Sequence, residues 1–325
     1  MIESSIYFKE LLLLLDQLTV DLKIKKEPNT LYDPINYLFL KKGKRIRAML
    51  VLLSNQLFHN NITGLKELVL GIESLHNFTL IHDDVMDNAV LRRGGATINK
   101  KWSINQAILS GDVLMIHAYQ HLLSSKAVNK LFLQKFTETA IKICEGQQLD
   151  LDMQTNTSCS FDDYYRIIES KTGSLIQLSL TAPCYLTDEG FKYLNTMNSI
   201  GLYVGQLFQV QDDYLDLYGE EEKVGKLAGG DILEHKKTFL YAVAFNSASS
   251  KQRQQLVNIY HSNNTGDKVR QILTLYNQLS VKETVQKEIR KLSSKIFQLI
   301  NSLDVREDKK ELFIEFIKLL LTRNN

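Results

Sequence analysis

His76-Asn77-Phe78-Thr79-Leu80-Ile81-His82-Asp83-Asp84-Val85-Met86-Asp87 is an apolar helical stretch that ends in three carboxylates. On a helix Asp83 and Asp87 stand one above the other, about 6 Å apart. Like charges at that spacing repel and weaken the helix unless something positive lies between them. A hard divalent cation with oxygen ligands suits that position. Acidic helix ends are also common on plain solvent-facing surfaces, so one copy decides little. A second copy changes the reading. Gln209-Val210-Gln211-Asp212-Asp213-Tyr214-Leu215-Asp216 repeats the carboxylate spacing and closes another long apolar segment, Ile200 to Val210. Two such ends would face each other across the cavity of a helical bundle, where facing helices commonly build metal sites.

Outward from these motifs the chain reads as helix almost throughout. Apolar residues recur at helical spacing in Ile6 to Ile24, Arg45 to Phe58, Gly64 to Asp87, Ile104 to Leu123, Lys130 to Gln148, Phe161 to Leu178, Phe191 to Leu217 and several stretches after Thr238. Turn signals separate them, among them Pro28 and Pro34, Asn60 and Asn61, Arg93-Gly94-Gly95, Asn156 to Ser160, Gly219, and Gly229-Gly230. With only 3 prolines and 16 glycines in 325 residues, the expected class is all-α. No period of a repeat array and no low-complexity linker divides the chain, so residues 1–325 are expected to form one large helical domain.

Composition excludes several function classes. A net charge of +2, with basic and acidic residues interspersed, leaves no nucleic-acid footprint. Cys144, Cys159 and Cys184 are widely spaced and form no CxxC pair, so neither a disulfide framework nor a zinc site is expected, which favours a reducing, cytoplasmic setting. The apolar run Leu11 to Leu15 lies between Glu10 and Asp16 with no basic segment before it, unlike a signal peptide. No stretch approaches the roughly 20 apolar residues of a membrane span.

Acids gathered in one cavity repel unless metals and cations balance them. Four basic clusters are candidates: Gly43-Lys44-Arg45-Ile46-Arg47 at a helix start, where free amides favour phosphate; Arg92-Arg93-Gly94 just after the first acidic motif; Lys171-Thr172-Gly173; and Lys226 with Lys236-Lys237-Thr238 after the second motif. Any one alone is more often a solvated face. Jointly, in an otherwise apolar chain, they describe a site for a diphosphate head and a hydrocarbon tail.

These residues, with Gly146-Gln147 and Gly230-Asp231, resemble in order and spacing the trans-type isoprenyl diphosphate synthases, the family of farnesyl and geranylgeranyl diphosphate synthases. The resemblance implies a bundle of long antiparallel helices around a deep cavity, usually in a homodimer. It implies condensation of isopentenyl diphosphate with an allylic diphosphate, and magnesium as cofactor, about three ions per site with manganese as a substitute. Asp83 and Asp87 would bind two ions and Asp212 a third with Asp216, while Asp84 and Asp213 complete the metal motifs by supporting their neighbours. Arg92, Lys171, Lys226 and Lys236 would grip the allylic diphosphate. Lys44, Arg47, His76 and Arg93 would hold isopentenyl diphosphate, and Thr172 and Gln209 would face the allylic cation. The segment Gly225 to Asp231 is one residue longer than in some relatives, which leaves Lys237 as the alternative to Lys236.

In such synthases bulky residues one turn before the first acidic motif close the floor of the tail cavity. Phe78 and Thr79 occupy those places. At 1.5 Å per residue, Phe78 lies roughly 7 Å below Asp83, where its ring would limit growth, although a Phe there is also an ordinary core residue. The expected product is C20, with C15 close behind. A terpene cyclase of the same fold would carry an Asn/Ser/Glu motif where Asp212 to Asp216 stands, and would not need Lys44 and Arg47. A non-catalytic partner subunit would show degraded metal motifs, and both motifs here are intact. A metal phosphohydrolase would need further histidines at ligand spacing, whereas His59, His76 and His117 read as isolated polar or core residues.

Overall fold

The computed structural model describes residues 6–41, 43–58, 63–219, 229–262 and 266–321. Among them the helices are α1 (Ile6–Leu18), α2 (Asn29–Leu40), α3 (Ile46–Phe58), α4 (Leu65–Met86), α5 (Ile98–Lys101), α6 (Ile104–Leu123), α7 (Lys130–Thr155), α8 (Phe161–Ile168) and α9 (Ser174–Thr181). There follow α10 (Asp188–Phe191), α11 (Leu194–Tyr218), α12 (Gly230–Leu233), α13 (Phe239–Ser247), α14 (Ser250–Tyr260), α15 (Lys268–Gln278), α16 (Val281–Asn301) and α17 (Glu307–Leu321). The all-α expectation holds. Two departures stand beside it: helix α2 runs through Pro34, where a turn was expected, and a hairpin of two short strands, β1 (Leu91–Arg92) and β2 (Gly95–Ala96), pairs antiparallel with Leu91 opposite Ala96.

Two compact units divide the chain. The first comprises Met1–Ala140, Leu178–Met197 and Val305–Lys309; the second comprises Ile141–Gln177, Asn198–Asp304 and Lys310–Asn325. In the first unit α4 packs along α6, with α3 against α4 and α2 against α6. Leu68, Val69, Ile72 and Leu75 of α4 and Ala107, Leu114, Ala118 and Leu122 of α6 are buried, at the i, i+3, i+4 spacing of an apolar helix face. Helix α6 starts where the Ser103 hydroxyl accepts a hydrogen bond from the Gln106 amide at 3.1 Å. Helix α4 stops before Asn88, whose φ is +51°. The chain then turns at Arg93 (φ +50°) and Gly94 (φ +72°), two successive left-handed residues of the kind a two-residue hairpin turn requires. The reversal at Asn88 has already brought Arg92, in β1, back beside the end of α4.

In the second unit α8 opens with a capping box: Ser160 Oγ accepts from the Asp163 amide, and the Asp163 carboxylate accepts from the Ser160 amide. The helical stretch expected over Phe161 to Leu178 is interrupted by one π turn, Glu169–Gly173, which contains Lys171 and Thr172. Such turns occur often at functional sites because the extra residue redirects side chains. Glycine permits the close packing here. A Cβ on Gly146 of α7 would overlap the Lys171 backbone nitrogen and lie 2.7 Å from the Ser170 carbonyl carbon, and one on Gly205 of α11 would lie 2.6 Å from Gly173 Cα. Helix α13 packs on α16, and α14 on α15. Among the described residues no helix is long and apolar enough to cross a membrane.

Candidate active site

In the first unit the three carboxylates of the first motif do not share one environment. Asp84 is 4% exposed, and its Oδ1 receives the Arg92 Nε at 2.6 Å. Burial pushes the Asp84 carboxyl up and the Arg92 guanidinium pulls it back. Asp87 is exposed and Asp83 partly so. On a helix Asp83 and Asp87 share a face, with Asp84 turned about 100° away. The middle acid is therefore committed to an arginine, and the outer pair has the more open positions.

The predicted cationic residues of this unit divide as well. Arg47 donates to His76 Nε2 at 3.1 Å. Burial, reinforced by Arg47, Arg93 and Arg92, holds the His76 imidazole well below its usual range, so it is neutral and carries its proton on Nδ1. Arg93 stacks its guanidinium onto Gly43, where a Cβ would come within 2.6 Å of the Arg93 Cζ. Arg47, His76, Arg93 and the Gly43 backbone thus form one cationic corner, with Lys44 exposed beside it. Arg45, in the same run, instead pairs with Asp16 at 3.0 Å. Beneath the corner lies Glu73, 3% exposed, accepting from the Ala48 amide at 3.2 Å. The sequence reading assigned Glu73 no role, although a lone acid inside the apolar run Leu68 to Leu75 was a signal.

Phe78 sits against His82 with ring centroids 4.7 Å apart and packs on a buried cluster that includes Ile81, Ala107 and Leu114. His82 Nε2 donates to the Ile108 carbonyl at 3.2 Å. Thr79 turns its hydroxyl back to the His76 carbonyl at 2.7 Å.

In the second unit a row of hydrogen bonds joins the π turn to the second motif. Thr172 Oγ1 donates to Gln209 Oε1 at 3.1 Å, and Gln209 Nε2 donates to Asp213 Oδ1 at 2.9 Å. Asp213, 5% exposed, also accepts on Oδ2 from the Tyr164 hydroxyl and the Phe239 amide, both at 2.8 Å. Burial pushes its carboxyl up to about 6, against the pull of those donors. Asp212 is exposed, and Asp216 Oδ2 accepts from the Asp231 amide at 3.0 Å. Lys171 Nζ pairs with Asp150 at 2.6 Å. Lys236 Nζ pairs with Glu234 at 2.7 Å and lies 3.6 Å from Asp231, whose own carboxyl is pushed up to about 7 by burial and by neighbouring Asp213 and Asp216. Lys237 points elsewhere: it is 9% exposed, with its Nζ 4.6 Å from the ring centroids of both Tyr241 and Tyr260. Of the two lysines, Lys236 is the one that meets carboxylates. Lys226 lies outside the described residues. Asp150, Tyr164 and Asp231 were missed as partners. Only Asp231 was visible beforehand, as part of a quoted motif.

The model for polyprenyl synthetases matches residues 28–278. The chain belongs to the polyprenyl synthetase family. It is a prenyltransferase. It is 33% identical to the short chain isoprenyl diphosphate synthase of Methanothermobacter thermautotrophicus over 237 residues, 72% of this chain and 73% of that one. It is 35% identical to the geranylgeranyl pyrophosphate synthase of Geoglobus acetivorans over 224 residues, 68% of this chain and 70% of the relative. Among solved structures, a crystal structure of a geranylgeranyl pyrophosphate synthase superposes with a TM-score of 0.90 at 31% identity, covering 98% of this chain and 99% of the other.

Enzymes of this family generally use a divalent metal. Among the described residues, no group of three or more His, Cys, Asp or Glu side chains closes on one point to make a cage. The donor set fits a different arrangement. Magnesium is usually held by one or two carboxylates together with substrate phosphates and water, and each motif of this prenyltransferase offers hard oxygen donors on one helical face.

Proposed function

We propose that this chain is a short-chain trans-prenyl transferase that condenses isopentenyl diphosphate with an allylic diphosphate, giving mainly the C20 product geranylgeranyl diphosphate. Residues 1–325 act as one synthase domain, in the cytoplasm. The observation that carries this reading is the Thr172–Gln209–Asp213 row beside Lys171, in a member of the polyprenyl synthetase family.

Asp83 and Asp87 of the first motif, and Asp212 with Asp216 of the second, are the residues that would hold magnesium, about three ions in all. Bound there, the metal supplies positive charge that stabilises the departing diphosphate. The chain's own part is to bind and orient. Arg92, Lys171, Lys236 and Lys226 take the allylic diphosphate, which requires Lys171 to leave Asp150 for phosphate oxygen. Lys44, Arg47, His76 and Arg93 take isopentenyl diphosphate; neutral His76 donates from Nδ1 there, because Nε2 already accepts from Arg47. As the allylic carbon–oxygen bond breaks, the Thr172 hydroxyl and Gln209 amide oxygens face the cation without trapping it covalently. The double bond of isopentenyl diphosphate attacks the cation, and the proton then lost passes to the departed diphosphate. Apolar side chains around the tail, Phe78 among them, exclude the water that would quench the cation.

Phe78 favours the C20 assignment as the family resemblance implies: five residues before Asp83, its ring, 4.7 Å from that of His82, would limit growth of the tail. The geranylgeranyl names of two similar proteins point the same way. A homodimer is the proposed assembly. Ile104, Ile108, Ile116 and Leu123 leave an exposed apolar stripe along α6, which a second copy would cover with the same surface. Incubating the protein with magnesium, isopentenyl diphosphate and each of dimethylallyl, geranyl and farnesyl diphosphate, then sizing the products, tests the reading. C20 should dominate from every starter; no elongation of any of them would refute it.

A further inference from the structure

Asp213 is a buried and fully committed carboxylate of the second acidic motif. Its two oxygens receive three donors: Gln209 Nε2 on Oδ1, and the Tyr164 hydroxyl and Phe239 amide on Oδ2. Tyr164 comes from α8, two turns before Lys171, and is 3% exposed. Its ring is braced by Phe239 at 5.3 Å and Tyr165 at 5.7 Å. Burial and the adjacent Asp213 charge hold the phenol well above its usual range, so it stays protonated and donates.

Two consequences follow from helix geometry and hydrogen-bond chemistry. Asp212 lies about 100° and Asp216 about 60° around α11 from Asp213, on one shared face, so fixing Asp213 inward fixes the direction of that face. Gln209 gives its NH2 to Asp213 Oδ1 and its amide oxygen to the Thr172 hydroxyl, so the Asp213 contact fixes which way the amide points.

We propose that Tyr164 is a positioning residue for the second acidic motif. Its buried hydroxyl holds Asp213, and through Asp213 it sets both the Asp212/Asp216 face that would take metal and the orientation of the Gln209 amide. This rests on the synthase reading above, which assigns Tyr164 nothing.

The test compares Tyr164→Phe with Tyr165→Phe, whose hydroxyl instead bonds Glu288 at 3.1 Å. Calorimetric titration of magnesium in the presence of inorganic diphosphate is read alongside kcat, the magnesium dependence of turnover and far-ultraviolet circular dichroism. Tyr164→Phe should weaken magnesium binding roughly tenfold, as expected for a lost hydrogen bond to a charged group, and lower kcat with the helical signal intact. Tyr165→Phe should match the wild type. In an Asp213→Asn background the further effect of Tyr164→Phe should fall below about twofold, since the link is already weakened. Wild-type magnesium binding in Tyr164→Phe, or full additivity with Asp213→Asn, would overturn the proposal. Should Tyr164→Phe lose helical signal, Asp213→Asn alone reads the same link and must show the roughly tenfold loss; its absence overturns the proposal equally. A wild-type protein that elongates no allylic diphosphate strikes the synthase reading instead, so the two failures are distinguishable.

Discussion

Lys237→Met should stabilise the protein at neutral pH and spare turnover. The Lys237 ammonium is 9% exposed, and its Nζ has no hydrogen-bond partner. Burial, with Lys268 nearby, pushes it from the ordinary 10.5 down to about 8. At 1.36 kcal/mol per pKa unit this corresponds to a penalty of roughly 3 kcal/mol for keeping the charge inside. The faces of Tyr241 and Tyr260, each 4.6 Å away, return about 1 kcal/mol of that. Methionine keeps the unbranched stem and places sulfur against the same rings, so the net gain is about 2 kcal/mol. The sign also sets a pH dependence. Below about 8 the lysine is charged in both folded and unfolded chains, and the whole penalty stands. Between 8 and 10.5 it is neutral when folded but still charged when unfolded, so the native wild type gains stability as pH rises. Urea unfolding of wild type and Lys237→Met side by side should therefore show the variant ahead by about 2 kcal/mol at pH 7 and most of that lead gone by about pH 10. A variant less stable at pH 7, or a lead equal at both pH values, would refute the reasoning. Turnover lost in Lys237→Met but kept in Lys236→Met would reverse the placement of the two lysines.

Gly146→Ala should lower the melting temperature and cut turnover at least tenfold, because its methyl overlaps the backbone of the turn that carries Lys171 and overpacking costs about 1–3 kcal/mol. Thermal unfolding with wild-type melting and rate would contradict it. Phe78→Ala should lengthen the product by at least one isoprene unit, read by chromatography of the dephosphorylated products, and should cost about 2 kcal/mol because the ring is only partly buried. An unchanged product distribution would leave Phe78 as packing alone.

Much of this was legible in the amino-acid order. Helical period marked nearly every long helix, since each buries one apolar stripe, and the paired acidic motifs with their cationic neighbours pointed to diphosphate chemistry. Depth was not legible. Within Asp83-Asp84 and Asp212-Asp213 the residue types are identical, yet one acid of each pair is exposed or partly so and the other is buried against donors the pair itself does not reveal: Arg92 from the strand that follows, Tyr164 and Phe239 from other helices. The same limit applied to Lys236 and Lys237, where only the tertiary structure shows which lysine meets acids and which meets rings. Arg45 and Arg47 are two residues apart in one basic run, but Arg45 turns to Asp16. The π turn at Glu169–Gly173 adds a residue that a 3.6-residue period does not reveal, and its close approach to α7 became visible only once Gly146 lay against it.

Under the synthase reading both acidic motifs serve one ionisation step. The deciding measurement is the rate of product formation from isopentenyl and farnesyl diphosphates with Asp83→Ala and Asp212→Ala, each at saturating magnesium. Either substitution alone should abolish turnover while the helical circular-dichroism signal persists, because each removes a charge proposed to hold metal and no core side chain. Wild-type turnover in either variant would contradict it.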